Sequence, residues 1–298
     1  MCGIVGLFLK DKSLEPQLGQ MLTDMLITMT DRGPDSAGIA IYGTDADKNS
    51  KLTVQSPNPA ADFKGLAADL GKVIGTKIAQ RNKDTHTVLE MPAEKIAEAR
   101  QALKELRPDV RVMSAGDTME IYKEVGLPKD VAARFDVAKM SGTHGIGHTR
   151  MATESAVTTM GAHPFSTGSD QCLVHNGSLS NHNSLRRQLA REGILTETMN
   201  DTEVGAAYLT WKMREGATLG EALESSLDDL DGFFTFVVGT KDGFGVVRDP
   251  IACKPAVMAE TDQYVAFGSE YRALVNLPGI ETARVWEPEP ATVYFWNH

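Results

Sequence analysis

Short apolar segments follow one another closely through the second half of the chain, and this pattern restricts the possible folds strongly. Each segment is apolar or glycine-rich and is bounded by turn residues, as β-strands are. In order they are GTHGIGHTR, QCLVHNG, FFTFVVGT, GFGVVRD, PAVMAE, YVAFGS and ATVYFW, all after residue 142. Helices are predicted between them at 179–192, 202–214 and 219–228. Strands this short favour antiparallel sheets covered by helices, which is an α+β fold.

Residues 1–43 predict one strand, one helix and a second strand. Residues 2–9 form a continuous apolar run, which is typical of a buried strand. Residues 15–31 carry apolar positions at helical spacing. A loop, RGPDSAG, then leads into the strand GIAIYG.

Residues 44–117 begin with turn-rich segments and then alternate between helix-like and strand-like patterns. They are predicted to form a small inserted α/β subdomain. The turn-rich segments DADKNSK and SPNPAAD lie at its start. A helix is predicted over 60–80, and THTVLEM is typical of a strand. A second helix is predicted to start at Pro92, and VRVMSA returns as a strand. We find no ligand-binding motif in this segment.

The charge balance and the hydropathy exclude two classes of partner. The net charge is −10, and no run rich in lysine or arginine is present to neutralise nucleic-acid phosphates. No apolar stretch reaches the roughly 18 residues that span a bilayer. The N-terminus also lacks the basic n-region and the cleavage site of a secretory signal. We therefore expect a cytoplasmic protein that binds neither nucleic acid nor membrane.

The cysteines and histidines predict neither a disulfide framework nor a metal site. Cys2, Cys172 and Cys253 make an odd count and form no CxxC pair. His144 and His148 are four residues apart, but the intervening glycines favour a strand, on which they lie too far apart to share one metal. We expect no metal and no cofactor in this chain.

Cys2 is the first candidate for catalysis. Its small side chain predicts that an aminopeptidase removes Met1, so that a thiol and a free α-amine occupy one residue. A thiol titrates near about 8.5 and an α-amine at about 7.7–8.0, so that the amine can accept the thiol proton at neutral pH. Such a residue is a nucleophile that carries its own base. The alternative is that Cys2 is only a small apolar residue at the start of a strand.

Asn176 and Gly177 are the candidate donors for an oxyanion. A thiol that attacks an amide needs such donors, each of which contributes about 3–4 kcal/mol in a dry site. Asn176 offers a side-chain NH2, and Gly177 offers a backbone N–H that can approach closely. The alternative is an ordinary Asn-Gly turn between a strand and a helix.

Arg150, Thr153 and Asp201 are candidates for binding the substrate. Arg150 lies at the end of a predicted strand, and its guanidinium suits a carboxylate. Asp201 can accept a substrate ammonium group, with the alternative that Asp201 or Asn200 only caps a helix. Together, the arginine and the aspartate describe a free α-amino acid as the substrate.

These segments, taken in order, resemble the class II glutamine amidotransferases, whose glutaminase domains begin with a cysteine. The matching segments are CGIVG (2–6), RGPDSAG (32–38), GHTRMATES (147–155), AHPF (162–165), HNG (175–177), DTE (201–203), GFF (232–234), RDP (248–250) and SEYRAL (269–274). Each is weak alone, but their order covers nearly the whole chain outside residues 44–117.

The resemblance implies the four-layer αββα sandwich of the N-terminal nucleophile (Ntn) hydrolases. It implies that Cys2 is the nucleophile and that Asn176 and Gly177 form the oxyanion hole. It places Arg150 on the glutamine α-carboxylate and Asp201 on its α-amine, with Thr153 in the same pocket. Arg32 and Asp35 are expected to hold the loop beside the nucleophile. Cys172 and Cys253 match no role and are expected in the core.

The resemblance also implies a function. We expect a glutaminase that hydrolyses L-glutamine through a Cys2 thioester and passes ammonia to a synthase subunit. That subunit is expected to be of the glutamate-synthase-like or N-methylglutamate-synthase-like type, holding flavin and iron–sulfur centres. The chain would then work in a hetero-oligomer. Two alternatives are a non-catalytic regulatory subunit and the glutaminase component of another complex, such as an amidophosphoribosyltransferase-like one.

Overall fold

A computed structural model describes residues 2–44, 49–152 and 156–298 of the chain. The strands are β1 (Gly3–Leu9), β2 (Ser36–Tyr42), β3 (Asn49–Gln55), β4 (Ala79–Lys83), β5 (His86–Pro92), β6 (Arg111–Gly116), β7 (Met119–Val125), β8 (His144–Arg150), β9 (Phe165–Gly168), β10 (Gln171–Leu179), β11 (Gly232–Thr240), β12 (Gly243–Arg248), β13 (Val257–Glu260), β14 (Tyr264–Gly268), β15 (Arg284–Trp286) and β16 (Val293–Asn297). The α-helices are α1 (Leu18–Thr28), α2 (Pro59–Asp62), α3 (Leu66–Ile74), α4 (Ile96–Leu106), α5 (Pro128–Arg134), α6 (His182–Arg191), α7 (Asp201–Arg214) and α8 (Leu219–Asp229).

The strands pair into three sheets, and each pairing between them is antiparallel. A seven-stranded sheet has the order β15-β13-β14-β1-β8-β2-β7. A five-stranded sheet has the order β16-β12-β11-β10-β9. A four-stranded sheet has the order β4-β5-β3-β6.

Strand β1 is buried on both faces, which explains its unbroken apolar sequence. Val5 and Leu7 pack into one core cluster, while Ile4 and Phe8 pack into another on the opposite face. This division follows the two-residue alternation of a strand. A methyl group at Gly6 would lie 2.6 Å from the ring of Phe244 in the five-stranded sheet, so glycine permits the two sheets to approach closely here.

The core clusters define four layers. Helices α1 and α5 cover the outer face of the seven-stranded sheet. The inner faces of the seven-stranded and five-stranded sheets share a second cluster. Helices α6, α7 and α8 cover the outer face of the five-stranded sheet. The order is therefore helix, sheet, sheet, helix, which confirms the predicted α+β sandwich.

The four-stranded sheet is built wholly from residues 49–116 and has its own core. Helices α3 and α4 bury one apolar side each against this sheet. It is tied to the sandwich by Asp170, whose buried carboxylate accepts hydrogen bonds from three successive backbone N–H groups. These belong to Asp117, Thr118 and Met119, in the turn from β6 into β7. The turn is therefore held in place by the turn between β9 and β10 of the opposite sheet.

Several elements differ from the predictions. The single helix expected over 60–80 is two helices, α2 and α3, with Gly65 between them at a φ of 70°. Helix α3 ends at Gly75, whose left-handed φ of 68° is the usual termination of a helix. Pro92 ends β5, and helix α4 begins only at Ile96.

None of the helices in the three described ranges is both long enough and apolar enough to cross a lipid bilayer.

Candidate active site

Cys2 lies at the end of the seven-stranded sheet, immediately before β1. Its carbonyl oxygen accepts a hydrogen bond of 2.9 Å from Arg32 Nε and one of 3.2 Å from Asn176 Nδ2. Its Sγ lies 3.9 Å from the carbonyl oxygen of Met151, and the residue is only partly buried. The backbone of Cys2 is thus held from two sides while its thiol stays at the rim of the sheet.

Arg32 connects Cys2 to the far end of the chain. The guanidinium is buried, and its Nη1 pairs with Glu270 Oε1 at 2.6 Å. Glu270 also pairs with Arg272 at 2.7 Å. The hydrogen bond from Arg32 is the main reason that the pKa of Glu270 lies below its usual range. A carboxylate that stays ionised keeps the guanidinium oriented on the Cys2 carbonyl.

Asp35 shapes the segment that follows β8. Its Oδ2 accepts a hydrogen bond of 2.8 Å from the N–H of Ala152, and its own N–H donates to the carbonyl of Arg150 at 3.1 Å. Arg150 is the last residue of β8 and is buried. The structure therefore brings Arg32, Asp35 and Arg150 to the same end of the sheet as Cys2. Thr153 lies outside the described residues.

Asn176 and Gly177 lie inside a strand, so the turn alternative is wrong. Both belong to β10, where they pair with Thr235 and Phe234 of β11. Gly177 has a φ of 146°, and a Cβ there would lie 1.9 Å from the carbonyl oxygen of Phe233. Glycine is required at this position because no side chain fits. The Asn176 amide meets Cys2 from the opposing sheet.

Asp201 is not the cap of its helix. The cap of α7 is Asn200, whose side chain accepts from the N–H of Thr202. Asp201 instead accepts a hydrogen bond of 2.9 Å from the N–H of Leu179, and its second oxygen lies 3.9 Å from His175 Nδ1. The capping alternative for Asp201 is therefore wrong. Its carboxylate is held at the end of β10 by Leu179, which is two residues after Gly177.

Three buried histidines lie behind this site, and the sequence analysis assigned them no role. His148 stacks on His163 with ring centroids 3.9 Å apart, and His148 Nε2 lies 3.2 Å from the carbonyl oxygen of His175. Because a carbonyl only accepts, Nε2 carries the proton of His148. Burial lowers the pKa of His148 to about 3 and that of His175 to about 4, so both rings are neutral at neutral pH.

The signal for these histidines was present in the sequence. They occur in GHTR, AHPF and HNG, three of the segments that carried the family resemblance. The rings are buried and neutral, and His175 directly precedes Asn176 on β10, so its side chain lies on the other face of the strand. The histidines belong to the scaffold of the site. The family motifs mark their positions, but the sequence does not show that the three rings lie together.

The other two cysteines, Cys172 and Cys253, differ in burial. Cys172 is buried next to the Tyr42 hydroxyl, and burial raises the pKa of its thiol to about 12. Cys253 is exposed, so its expected place in the core is wrong. Among the described residues, no three His, Cys, Asp or Glu side chains come together as metal ligands.

Two relatives match this chain over nearly the whole length of both proteins. A family model described as a glutamine amidotransferase domain matches residues 148–276. The chain is 72% identical over 298 residues to the glutamine amidotransferase-like protein GlxB of Rhizobium meliloti (strain 1021), covering 100% of this chain and 99% of that protein. It is 35% identical over 303 residues to a putative glutamine amidotransferase of Methanothermobacter thermautotrophicus, covering 98% of each.

Other matches are partial. Glutamine–fructose-6-phosphate aminotransferase of Vibrio vulnificus (strain YJ016) is 35% identical over 129 residues, which is 43% of this chain and 21% of that enzyme. The structure of glutamine phosphoribosylpyrophosphate amidotransferase from B. subtilis superimposes with a TM-score of 0.62 at 21% identity. That superposition covers 99% of this chain and 47% of the other. The chain thus spans about half the length of that enzyme.

Proposed function

The chain belongs to the glutamine amidotransferase family and is an enzyme of that class, and on this premise we propose that it hydrolyses L-glutamine to glutamate and ammonia through a Cys2 thioester. The observation that carries the proposal is the contact of Asn176 Nδ2 with the Cys2 carbonyl at 3.2 Å. This contact supports the proposal because it joins an amide donor from one sheet to the backbone of the residue that carries the thiol.

The proposed reaction begins once Met1 has been removed. The α-amine of Cys2 accepts the thiol proton, and the sulfur attacks the side-chain carbonyl carbon of glutamine. An amide nitrogen has two hydrogens, so that Asn176 can hold Cys2 with one and the oxyanion with the other. Gly177 supplies the second donor. Ammonia leaves with a proton from the amine, and water then cleaves the thioester to give glutamate.

Substrate binding is assigned to the two charged groups on the α-carbon of glutamine. Arg150, at the end of β8, takes the α-carboxylate, and Thr153 belongs to the same pocket. Asp201 takes the α-ammonium group. Because the neighbouring His175 is neutral at neutral pH, it leaves the negative charge of Asp201 for the substrate.

We further propose that ammonia passes to a partner synthase of the glutamate-synthase-like type, which holds flavin and iron–sulfur centres. The three cysteines of this chain are a rim residue, a buried residue and an exposed loop residue, so a cluster would need ligands from the partner. The match to fructose-6-phosphate aminotransferase covers only 21% of that enzyme and gives no support for transfer to its acceptor.

We also interpret residues 44–117 as a subdomain inserted into the sandwich. Its sheet and its core are formed by residues of this segment, and Asp170 anchors the turn where the chain returns to the sandwich. The proposed catalytic residues all lie outside it.

A glutaminase assay on the purified protein tests the proposal. Intact mass first shows whether the chain starts at Cys2. Cys2→Ala should abolish glutamate release while the unfolding midpoint stays close to that of the wild type, because one small side chain replaces another. Cys253→Ala, which removes an exposed thiol instead, should keep full activity.

Two results would contradict the mechanism. One is an active preparation that retains Met1, since an acylated nitrogen is not a base. The other is equal activity of Cys2→Ala and Cys253→Ala. The partner is tested separately by copurification from the native host, followed by flavin absorption and iron analysis. A copurified synthase without either centre contradicts the proposed partner type but not the glutaminase reaction.

A further inference from the structure

A polar cavity of about 330 Å³ lies between the four-stranded sheet and the seven-stranded sheet. Its walls come from the end of β2, from β3, β4, β5 and β7, and from residues 139–141. Strand β2 has Ser36 beside Arg150 at one end and Tyr42 beside His144 at the other. The cavity adjoins the Tyr42 end, so it lies about 20 Å from the nucleophile along a strand that rises about 3.3 Å per residue.

The lining of this cavity is cationic, although the chain as a whole carries a net charge of −10. Its charged residues are four cations and two carboxylates: Lys51, Arg81, Lys83, Lys139, Glu90 and Glu120. Glu120 serves two of the cations, because its Oε1 lies 3.0 Å from Lys51 Nζ and 2.7 Å from Arg81 Nη2. One carboxylate is therefore shared between two positive charges.

Among the described residues, Lys83 is the one cation of this cavity that forms no ion pair with a carboxylate, because Lys139 pairs with Asp136 at 2.7 Å. Lys83 Nζ donates to the carbonyl oxygen of Phe135 at 3.0 Å and lies 5.6 Å from the centre of the Tyr122 ring. An ammonium group has three N–H donors, so this hydrogen bond leaves others for a ligand. Burial, and after it the charge of Arg81, lower the pKa of Lys83. Its positive charge is thus only partly compensated.

We propose that this cavity binds a small metabolite that carries a phosphate group, held by Lys83 and Arg81 with Lys139 at the rim. An arginine and a lysine that converge on one cavity suit phosphate oxygens, because the guanidinium offers a planar fork and the ammonium a point charge. A volume of this size accommodates a small organic molecule as well as its phosphate. The site is separate from the glutamine site in position and in chemistry.

The purely structural role for these residues leaves the charges unexplained. Glu120 already binds Lys51 and Arg81 across the joint between the two sheets. Joining the sheets does not require a further lysine in the same cavity, and this half-buried lysine forms no ion pair among the described residues. A dianionic ligand supplies a counter-ion for it.

Calorimetric titration with pyrophosphate at constant ionic strength tests the proposal on the full chain. The wild type should bind saturably, and Lys83→Gln should bind about tenfold more weakly, as expected for loss of one charge-assisted hydrogen bond. Glutamine keeps a donor for the Phe135 carbonyl, so the fold is preserved. Lys104→Gln is the matched control, because Lys104 is an exposed lysine on α4 that does not line the cavity.

The titration can support or overturn the proposed phosphate site. Saturable binding that only Lys83→Gln weakens supports the site. Absence of saturable binding at millimolar pyrophosphate overturns it, as does equal weakening in Lys83→Gln and Lys104→Gln, which indicates general attraction by charge. If Lys83→Gln does not fold, Lys139→Gln replaces it, since that side chain is 79% exposed. Unaltered binding in Lys139→Gln then overturns the site. Binding is measured without turnover, so the result is independent of the glutaminase proposal.

Discussion

Replacing Asn176 by alanine separates the fold from the chemistry at the nucleophile. Asn176 is buried, and its amide nitrogen donates to the Cys2 carbonyl oxygen at 3.2 Å. The same oxygen also accepts a shorter bond of 2.9 Å from Arg32. Since the bond from Arg32 survives the substitution, the loss of the amide should lower the free energy of unfolding by only about 1 kcal/mol.

The cost to turnover should be much larger. In the proposed mechanism the second N–H of Asn176 faces the oxygen that becomes negative in the transition state. Removal of one such donor lowers kcat about 100- to 1,000-fold, which corresponds to about 2.7–4 kcal/mol. The KM for glutamine should change little, because the charge on this oxygen develops only during the reaction.

Steady-state glutamate release and urea denaturation, measured on the same preparation, give the two quantities. The matched control is Asn181→Ala, because the side-chain hydrogen bonds of Asn181 within the described ranges go to the backbone of Asp229 and Asp231. Its kcat should remain that of the wild type. A kcat of Asn176→Ala within about threefold of the wild type would refute the role of Asn176 as an oxyanion donor, because the loss of such a donor has a larger effect. Equal losses in the two variants would refute it as well.

Three further substitutions test other parts of the site. Arg150→Ala should raise the KM for glutamine about 10- to 100-fold with a smaller effect on kcat, because the proposed charge-assisted contact with the α-carboxylate is made in the ground state and the transition state alike. Arg187→Ala, on the exposed side of α6, is the control in the same kinetic assay. Gly177→Ala should lower the unfolding free energy in urea by more than Gly193→Ala does: both glycines have positive φ, which costs about 1–3 kcal/mol for other residues, but only the Cβ at Gly177 meets the backbone. Equal losses would show that the contact with Phe233 is not limiting. Lys123 donates to the carbonyls of Ala162 and Pro164, and burial lowers its pKa to about 7, below the value of about 10.4 in an unfolded chain. Between these two values the unfolded chain binds more protons, so the unfolding free energy should rise with pH, and Lys123→Met should flatten that slope in a pH series of denaturation curves; an unchanged slope would contradict the shift.

The elements with strong local patterns were predictable. The run at residues 2–9 is β1, and the helix predicted at 202–214 is α7, because an apolar run or a helical period is a property of neighbouring residues. Strand β4 was missed, since its sequence AQRNK has no apolar residue larger than alanine and it lies at the edge of its sheet. Strand β7 was missed because it buries Lys123 and Glu124, two charged side chains that a hydropathy pattern predicts to be exposed.

At the site, the residues could be named from the sequence but their contacts could not. Asn176 and Gly177 were as compatible with a turn as with a strand, because the choice depends on β11, more than fifty residues later. The bond from Asn176 to Cys2 spans 174 positions, and the pair of Arg32 with Glu270 spans 238. Such separations are decided by the packing of the two sheets. The cationic cavity was also missed, because its lysines come from separate elements and form no run.

The position of β1 inside its sheet has a consequence for the order in which the protein can assemble during synthesis. β1 is synthesised before the other described strands, yet its two neighbours are β8 and β14, which end at residues 150 and 268. The bond from Ile4 to Ser269 and the pair of Arg32 with Glu270 complete the surroundings of Cys2. Contacts this distant in sequence form late, after loops of most of the chain have closed. A nascent or truncated chain that stops before Glu270 therefore carries its thiol on a strand that is not yet fixed, and the surroundings of the reactive residue are complete only after Ser269 and Glu270 have been made.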